Sequence, residues 1–158
     1  MINRDLIVVG VDGSEGARRA LRWAITEGRR TGSAVEAVTV WAWDGVEGPM
    51  LAATSPGFER ERAEAISQRE FNEVLAGVSG QSQLSREVVE GHPVAALLAA
   101  ARTARLLVLG SHGHGRLHHA VMGSIAEECV RGATCPVVVI PVPQHEPAHQ
   151  TEEPVPVS

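Results

Sequence analysis

Five short runs rich in aliphatic residues recur along this chain, and stretches with a helical spacing of apolar residues separate them. The runs occupy residues 6–10, 34–41, 84–89, 106–110 and 137–140. An uninterrupted apolar run such as LIVVG is typical of a strand that is buried on both faces. Strands that alternate with helices predict a mainly parallel sheet, because each helix carries the chain back to the start of the next strand. The sequence therefore predicts an α/β fold: an open, mainly parallel five-stranded sheet with helices on both faces.

Capping and helix-breaking residues set the predicted limits of four helices. In the last of them, Glu127 follows the capping residue by three positions, which is the Ser-x-x-Glu spacing of a capping box. The predicted caps or first residues are Ser14, about Glu59, Pro93 and Ser124, and the predicted stops are Gly32 and Gly132. The run at 84–89 is more polar than the others, which indicates a strand at an edge of the sheet.

The predicted strands and helices all fall within residues 1–141, and a chain of 158 residues is long enough to bury one core. Residues 142–158 are rich in Pro and Glu and have almost nothing to bury, so we expect a disordered tail there. The loop over residues 43–57 is longer than a simple connection, which leaves room for a lid or surface flap. We therefore predict one domain over residues 1–141, followed by the tail.

Composition narrows the classes of partner. The net charge of −5 argues against a general nucleic-acid surface, which needs a basic face. No apolar run approaches the ~20 residues that span a bilayer, and no secretory signal opens the sequence. The two cysteines, Cys129 and Cys135, provide no disulfide framework and suit a reducing compartment. We expect a cytoplasmic protein that binds neither membranes nor nucleic acid.

Residues 110–124, GSHGHGRLHHAVMGS, follow the fourth predicted strand and are dense in glycine and histidine. The first strand also ends in a glycine-rich turn, GVDGS, at residues 10–14. In an open parallel sheet, ligands bind beyond the carboxyl ends of the strands, where the winding reverses. If the first and fourth strands are neighbours, the two turns face each other across one crevice.

The histidines and the glycines of this stretch suggest different ligands. The histidines offer zinc ligands, but flexible glycines on both sides of His114 are a poor frame for fixed metal geometry. Gly110 and Gly113 favour phosphate, because glycine tolerates positive φ and close approach of the backbone to an anion. Gly123 then opens a helix whose free N–H groups and dipole attract phosphate. We favour phosphate over a dedicated metal site; the Ser124 hydroxyl either caps this helix or donates to a phosphate oxygen.

Known phosphate motifs narrow the choice further. The chain has no Lys, so no Walker loop is present, and Gly10, Gly13 and Gly16 do not have the dinucleotide-binding spacing. The sequence resembles the universal stress protein family, whose nucleotide-binding members carry G-x2-G-x9-G-[ST] after the fourth strand. Gly110, Gly113 and Gly123-Ser124 reproduce this spacing. The resemblance covers about residues 4–141, including GVDGS and the closing CPVVVIP, and implies an adenine nucleotide alpha-hydrolase-like, Rossmann-like fold.

The resemblance implies a set of residues that contact the nucleotide. Gly10, Val11 and Asp12 would lie by the ribose and adenine, and Val40 would contact adenine through its backbone. Arg116 would add positive charge, and a solvated Arg116 is the alternative. The full predicted set is Gly10, Val11, Asp12, Val40, Gly110, Ser111, His112, Gly113, His114, Gly115, Arg116, Gly123, Ser124 and Ile125. From its residue type alone, Asp12 has a second interpretation as a turn or cap residue.

The same resemblance implies a single-domain, ATP-binding stress-response regulator, with Mg²⁺ or Mn²⁺ accompanying the ATP, and a homodimer paired through the fifth strand at residues 137–140. We expect at most weak ATP hydrolysis, because no convincing base or lysine lies near the predicted phosphates. A slow ATPase or nucleotide-transfer enzyme of the same fold, and a metal- or partner-binding module using the histidines, are the alternatives. Cyclic AMP as the ligand in place of ATP also stays open.

Overall fold

Strands and helices alternate along the chain in the computed structural model, which describes residues 3–42, 55–80, 83–113 and 122–143. A short 3-10 turn connects the third helix to the fourth strand. The elements in chain order are β1 (Asn3–Gly10), α1 (Glu15–Thr31), β2 (Ala34–Trp41), α2 (Pro56–Ala76), β3 (Leu84–Glu90), α3 (Pro93–Ala100), β4 (Ala104–Gly110), α4 (Ser124–Gly132) and β5 (Val137–Ile140).

The five strands form one sheet in the order β3-β2-β1-β4-β5, and every pairing is parallel. The predicted fold class is therefore confirmed, and β3 lies at an edge as its polarity indicated. The order runs outward from β1 in both directions, so the winding reverses between β1 and β4. Val9 of β1 is in register with Val108 of β4. Consequently the glycine-rich turns that follow these two strands lie side by side, which meets the condition for one shared crevice.

Alternating side chains of the strands build a core on each face of the sheet. On one face, Ile7, Val9 and Val35 pack with Leu21 and Ile25 of α1 and with residues of α2. On the other face, Val8, Val38 and Leu107 pack with residues of α3 and α4. Both cores are almost entirely aliphatic, and both faces of the central strands are covered, which explains the uninterrupted apolar runs.

Several predicted boundaries are wrong by a few residues. α2 begins at Pro56, three residues before Glu59, because the Ser55 side chain accepts a hydrogen bond from the Phe58 amide and caps the helix. β1 begins at Asn3 and β4 at Ala104, which are three and two residues before the apolar runs that predicted these strands. Gly132 lies inside α4 and does not stop it; the residue after the helix is Ala133, in an extended conformation. Gly32 ends α1 in the left-handed conformation, with φ of 74°, as predicted.

An ion pair between a partly exposed arginine and a buried glutamate joins α1 to α2. Glu70 of α2 is fully buried, and Arg18 of α1 donates to both of its carboxylate oxygens at 2.7 and 3.2 Å. Burial by itself would raise the pKa of the Glu70 carboxyl, but hydrogen bonds and charge from Arg18 and Arg69 outweigh it and hold this pKa below its ordinary value. This pair fixes α2 against α1, on the face of the sheet opposite α3 and α4.

Candidate functional site

A cavity of about 340 Å³ opens beyond the carboxyl ends of β1 and β4, at the point where the winding reverses. This volume lies within the usual range of small-molecule sites. The predicted residues that line it are Gly10, Val11, Asp12, Val40, Gly110, Ser111, His112, Gly113, Gly123, Ser124 and Ile125. The structure thus brings together every predicted site residue that it describes. His114, Gly115 and Arg116 lie outside the described residues, as do the histidines at 118 and 119.

One end of the cavity is the amino terminus of α4. The first intrahelical hydrogen bond of α4 runs from the Glu127 amide to the Gly123 carbonyl, at 3.0 Å. Helix geometry therefore leaves the amides of Ser124, Ile125 and Ala126 without an intrahelical acceptor, and all three residues line the cavity. These amides and the helix dipole offer a site for one anionic group.

The predicted cap at Ser124 is wrong, and so is the capping box with Glu127. Gly123 is the residue that precedes α4, and no side chain caps the helix; Ser124 is its first residue and is exposed. Glu127 pairs instead with Arg131, one turn along the same helix. Of the two roles left open for Ser124, the structure removes the cap and leaves the hydroxyl at the rim of the cavity.

Gly110 is required for close packing and the Gly123 amide is used within the protein, which differs from the reasons that the sequence suggested. The Gly123 amide donates to the Ser111 carbonyl at 2.6 Å, so it is not offered to a ligand. A Cβ on Gly110 would lie 2.5 Å from the carbonyl carbon of Gly16, in the first turn of α1. Neither Gly110 nor Gly113 is among the described glycines with positive φ. The missing Gly110 side chain thus lets α1 cross directly over the end of β4. Gly16 was not a predicted site residue, yet a Cβ on it would lie 2.5 Å from the His112 carbonyl oxygen.

Asp12 forms the turn that leads into α1. Its Oδ1 accepts the Ser14 amide at 2.9 Å, and the Ser14 hydroxyl in turn accepts the Ala17 amide at 3.2 Å and caps the helix. The alternative interpretation of Asp12 as a turn residue is therefore correct for Oδ1. Its Oδ2 lies 2.5 Å from where a Cβ of Gly113 would be, so Gly113 leaves room for the carboxylate at the cavity rim.

The other end of the cavity is apolar and includes residues that the sequence analysis missed. Val38, which precedes Val40 by two positions on β2, lines this end. Leu97 and Leu109 also line it, and both pack against Gly10, where a Cβ would lie 2.9 Å from Leu109 and 3.3 Å from Leu97. The residues that were missed are Ser14, Ala17, Val38, Pro93, Leu97, Leu109, Met122 and Ala126. Strand alternation from Val40 and the apolar stripe of α3 were the available signals, since both point to the same face of the sheet.

The charges around the cavity are few. Among its described lining residues, Asp12 is the only one with a carboxylate or guanidinium group. Within the described part of the chain, no three His, Cys, Asp or Glu side chains are grouped to hold a metal ion. Among the described helices, none is long and apolar enough to cross a membrane. The cavity therefore combines an apolar end with amide donors for one anion.

A parallel α/β sheet with its ligand crevice at the reversal of winding defines the Rossmann-like class. Within that class, residues 3–141 match the model of the universal stress protein family, and the chain belongs to this family. The family resemblance stated from the glycine spacing is therefore confirmed.

Relatives agree with the family, and solved structures agree with the fold. Universal stress protein Rv2005c of Mycobacterium tuberculosis is 33% identical over 136 residues, which are 84% of this chain and 44% of that protein. The chain thus spans less than half the length of this relative. A universal stress protein crystallised with cAMP superimposes with a TM-score of 0.65 at 22% identity, over 86% of this chain and 96% of the other. The universal stress protein from Archaeoglobus fulgidus in complex with dAMP superimposes with a TM-score of 0.62 at 21% sequence identity. The match covers 89% of this chain and 99% of the other.

Proposed function

We propose that this chain binds an adenine nucleotide in the cavity between β1 and β4 and acts as a nucleotide-liganded regulator in a stress response. The observation that carries the proposal is the pairing of the two cavity ends: three amides of α4 suit a phosphate, and an apolar end suits a base. Two structural neighbours are in complex with cAMP and with dAMP, which supports an adenine nucleotide over other phosphate compounds.

The residues fit such a ligand. The amides of Ser124, Ile125 and Ala126 would hold one phosphate, and Val38 and Leu97 would pack against the base. The described lining residues provide no guanidinium group. A divalent cation would neutralise a nucleotide with several phosphates when it is bound, beside any charge that Arg116 adds. We propose ATP with Mg²⁺ or Mn²⁺ as the physiological ligand, with AMP and cyclic AMP as competitors for the same cavity.

The proposed role is regulatory and cytoplasmic, with no dedicated catalysis. Water attack on a γ-phosphate is helped by a group that positions the water and by cations that neutralise developing charge. Among the described lining residues, His112 and Asp12 are the only candidates for a base, and Asp12 already holds the turn before α1. We expect at most weak hydrolysis of ATP, with no phosphate release well above background. Steady hydrolysis that disappears in His112→Ala would instead establish the enzyme.

The test is calorimetry with ligands that occupy one end of the cavity or both. AMP should bind more tightly than adenosine or inorganic phosphate alone, because only AMP occupies both ends. GMP is the control for the base, and ATP with and without Mg²⁺ is the control for charge. Mass spectrometry of the nucleotide released from freshly purified protein identifies the natural ligand. If AMP binds no more tightly than adenosine, the α4 amides do not hold phosphate and the proposal is wrong.

A further inference from the structure

The chain that leaves β5 is fastened beside the phosphate end of the cavity. We call its described residues, Pro141–Pro143, the strap. The Arg19 Nε of α1 donates to the Pro141 carbonyl at 3.2 Å, and the Val142 amide donates to the Ser111 hydroxyl at 3.3 Å. The Val142 side chain also packs against α1, since its Cγ2 lies 3.2 Å from where a Cβ of Gly16 would be. Three contacts thus tie the strap to two elements that line the cavity.

Every polar group of Ser111 takes part in this junction. Its amide donates to the Ile140 carbonyl of β5 at 2.8 Å, and its carbonyl accepts the Gly123 amide at the start of α4. Its hydroxyl accepts from Val142 and lies 3.1 Å from Nδ1 of His112, with which it shares a hydrogen bond. Ser111 is 5% exposed. The side chain is therefore committed to the protein, so its part at the site is to position other groups.

The strap has one amide only, because proline has no N–H and Val142 stands between two prolines. That single amide is given to Ser111, one residue after Gly110 in the loop that lines the cavity. Any shift of this loop that moves the Ser111 hydroxyl must break or strain the bond to the strap. Conversely, release of the strap frees the hydroxyl that orients the His112 ring.

We propose that nucleotide occupancy and the seating of the strap stabilise each other through Ser111. The inference rests on the proposed function, since it takes the cavity to be the nucleotide site. Binding linkage is reciprocal, so a strap that improves nucleotide affinity must itself be held more firmly when the nucleotide is bound. Residues 144–158 follow the strap directly, so the coupling passes the state of the cavity to the point where that segment begins.

The experiment measures hydrogen exchange at the Val142 amide, with saturating AMP and without it, alongside AMP affinity. AMP should slow exchange at this amide about tenfold. Ser111→Ala should remove that protection and weaken AMP binding about threefold to tenfold, the effect of losing one buried hydrogen bond. Ser111→Thr keeps a hydroxyl and should restore most of the protection, which a merely structural role of the serine would not predict.

Arg19→Ala tests the strap without altering any residue that lines the cavity. It should speed exchange at Val142 in the absence of AMP and weaken AMP binding about threefold. Arg22→Ala is the matched control, because Arg22 is an exposed arginine one turn further along α1 and the charge change is the same. If AMP binds the wild type but neither changes Val142 exchange nor responds to Arg19→Ala, the coupling is refuted while the proposed function stands. If AMP does not bind the wild type, both are refuted.

Discussion

Placing a carboxylate at Gly123 tests whether the amides at the start of α4 hold phosphate. Gly123 is the capping position of α4, and an aspartate there accepts hydrogen bonds from the second and third helical amides. These are the amides of Ile125 and Ala126, two of the three residues of the first turn of α4 that line the cavity. In Gly123→Asp the new side chain therefore occupies the donors that the phosphate needs and also repels it.

The size of the effect follows from charge and geometry. Two unit charges at ~5 Å repel by about 3 kcal/mol at an effective dielectric of 20. That alone lowers affinity by more than about a hundredfold, before the competition for amides is counted. The cost to the fold should be small, because aspartate is a favoured capping residue and its charge suits the helix dipole. A Cβ here lies 3.2 Å from the Ser111 carbonyl oxygen, so the loop must yield by a few tenths of an ångström.

Two further substitutions at Gly123 separate these causes. Gly123→Ala adds only the Cβ and should weaken AMP binding about threefold. Gly123→Asn adds a neutral side chain that competes for the same amides and should weaken it about tenfold. Calorimetry with AMP gives the three affinities, and thermal unfolding monitors the fold. Equal losses in all three variants would show that the effect is steric, and unchanged affinity in Gly123→Asp would refute the phosphate site at α4.

Three more predictions concern the fold and the assembly. Glu70→Gln should lower the free energy of unfolding, measured in urea, by about 2 kcal/mol, because Arg18 loses its buried carboxylate partner but stays partly hydrated. Glu73→Gln is the control and should change this free energy by less than about 0.5 kcal/mol. The Glu70 contribution is fully present above its ordinary pKa of 4.5 and is lost as pH falls through the lowered pKa of the folded state, so wild type and variant should converge in acid. Gly110→Ala should destabilise the protein by about 3 kcal/mol, since its Cβ meets the backbone of α1. Gly57→Ala, near the start of α2, is the control: its Cβ meets no close atom, so stability should stay unchanged or rise by up to about 1 kcal/mol. We expect a homodimer through β5 and the exposed apolar surface of α4 beside it. Val130→Asp should therefore give a monomer in sedimentation. A wild-type monomer at micromolar concentration would contradict this prediction.

Much of the fold could be read from local patterns. The runs rich in aliphatic residues identified all five strands, and those of the central strands are uninterrupted because these strands are buried on both faces. Element boundaries were less accurate where a cap lay outside the apolar pattern, as at Ser55, or where a glycine had another role, as at Gly132. The spacing of Gly110, Gly113 and Gly123 located one side of the cavity, because it reflects where backbone must pass close to other atoms.

The sequence by itself determined the strand and helix order, the parallel sheet and the family, because these follow from the periodicity of neighbouring residues and from a motif of fixed spacing. Only the tertiary structure decided why Gly110 must be glycine, since the clash comes from Gly16 on another element. It also decided that the Ser111 hydroxyl accepts a hydrogen bond from the amide of Val142, far along the chain. A local pattern sets backbone preferences, but the partner of a buried hydroxyl or a missing Cβ is whatever the fold brings against it.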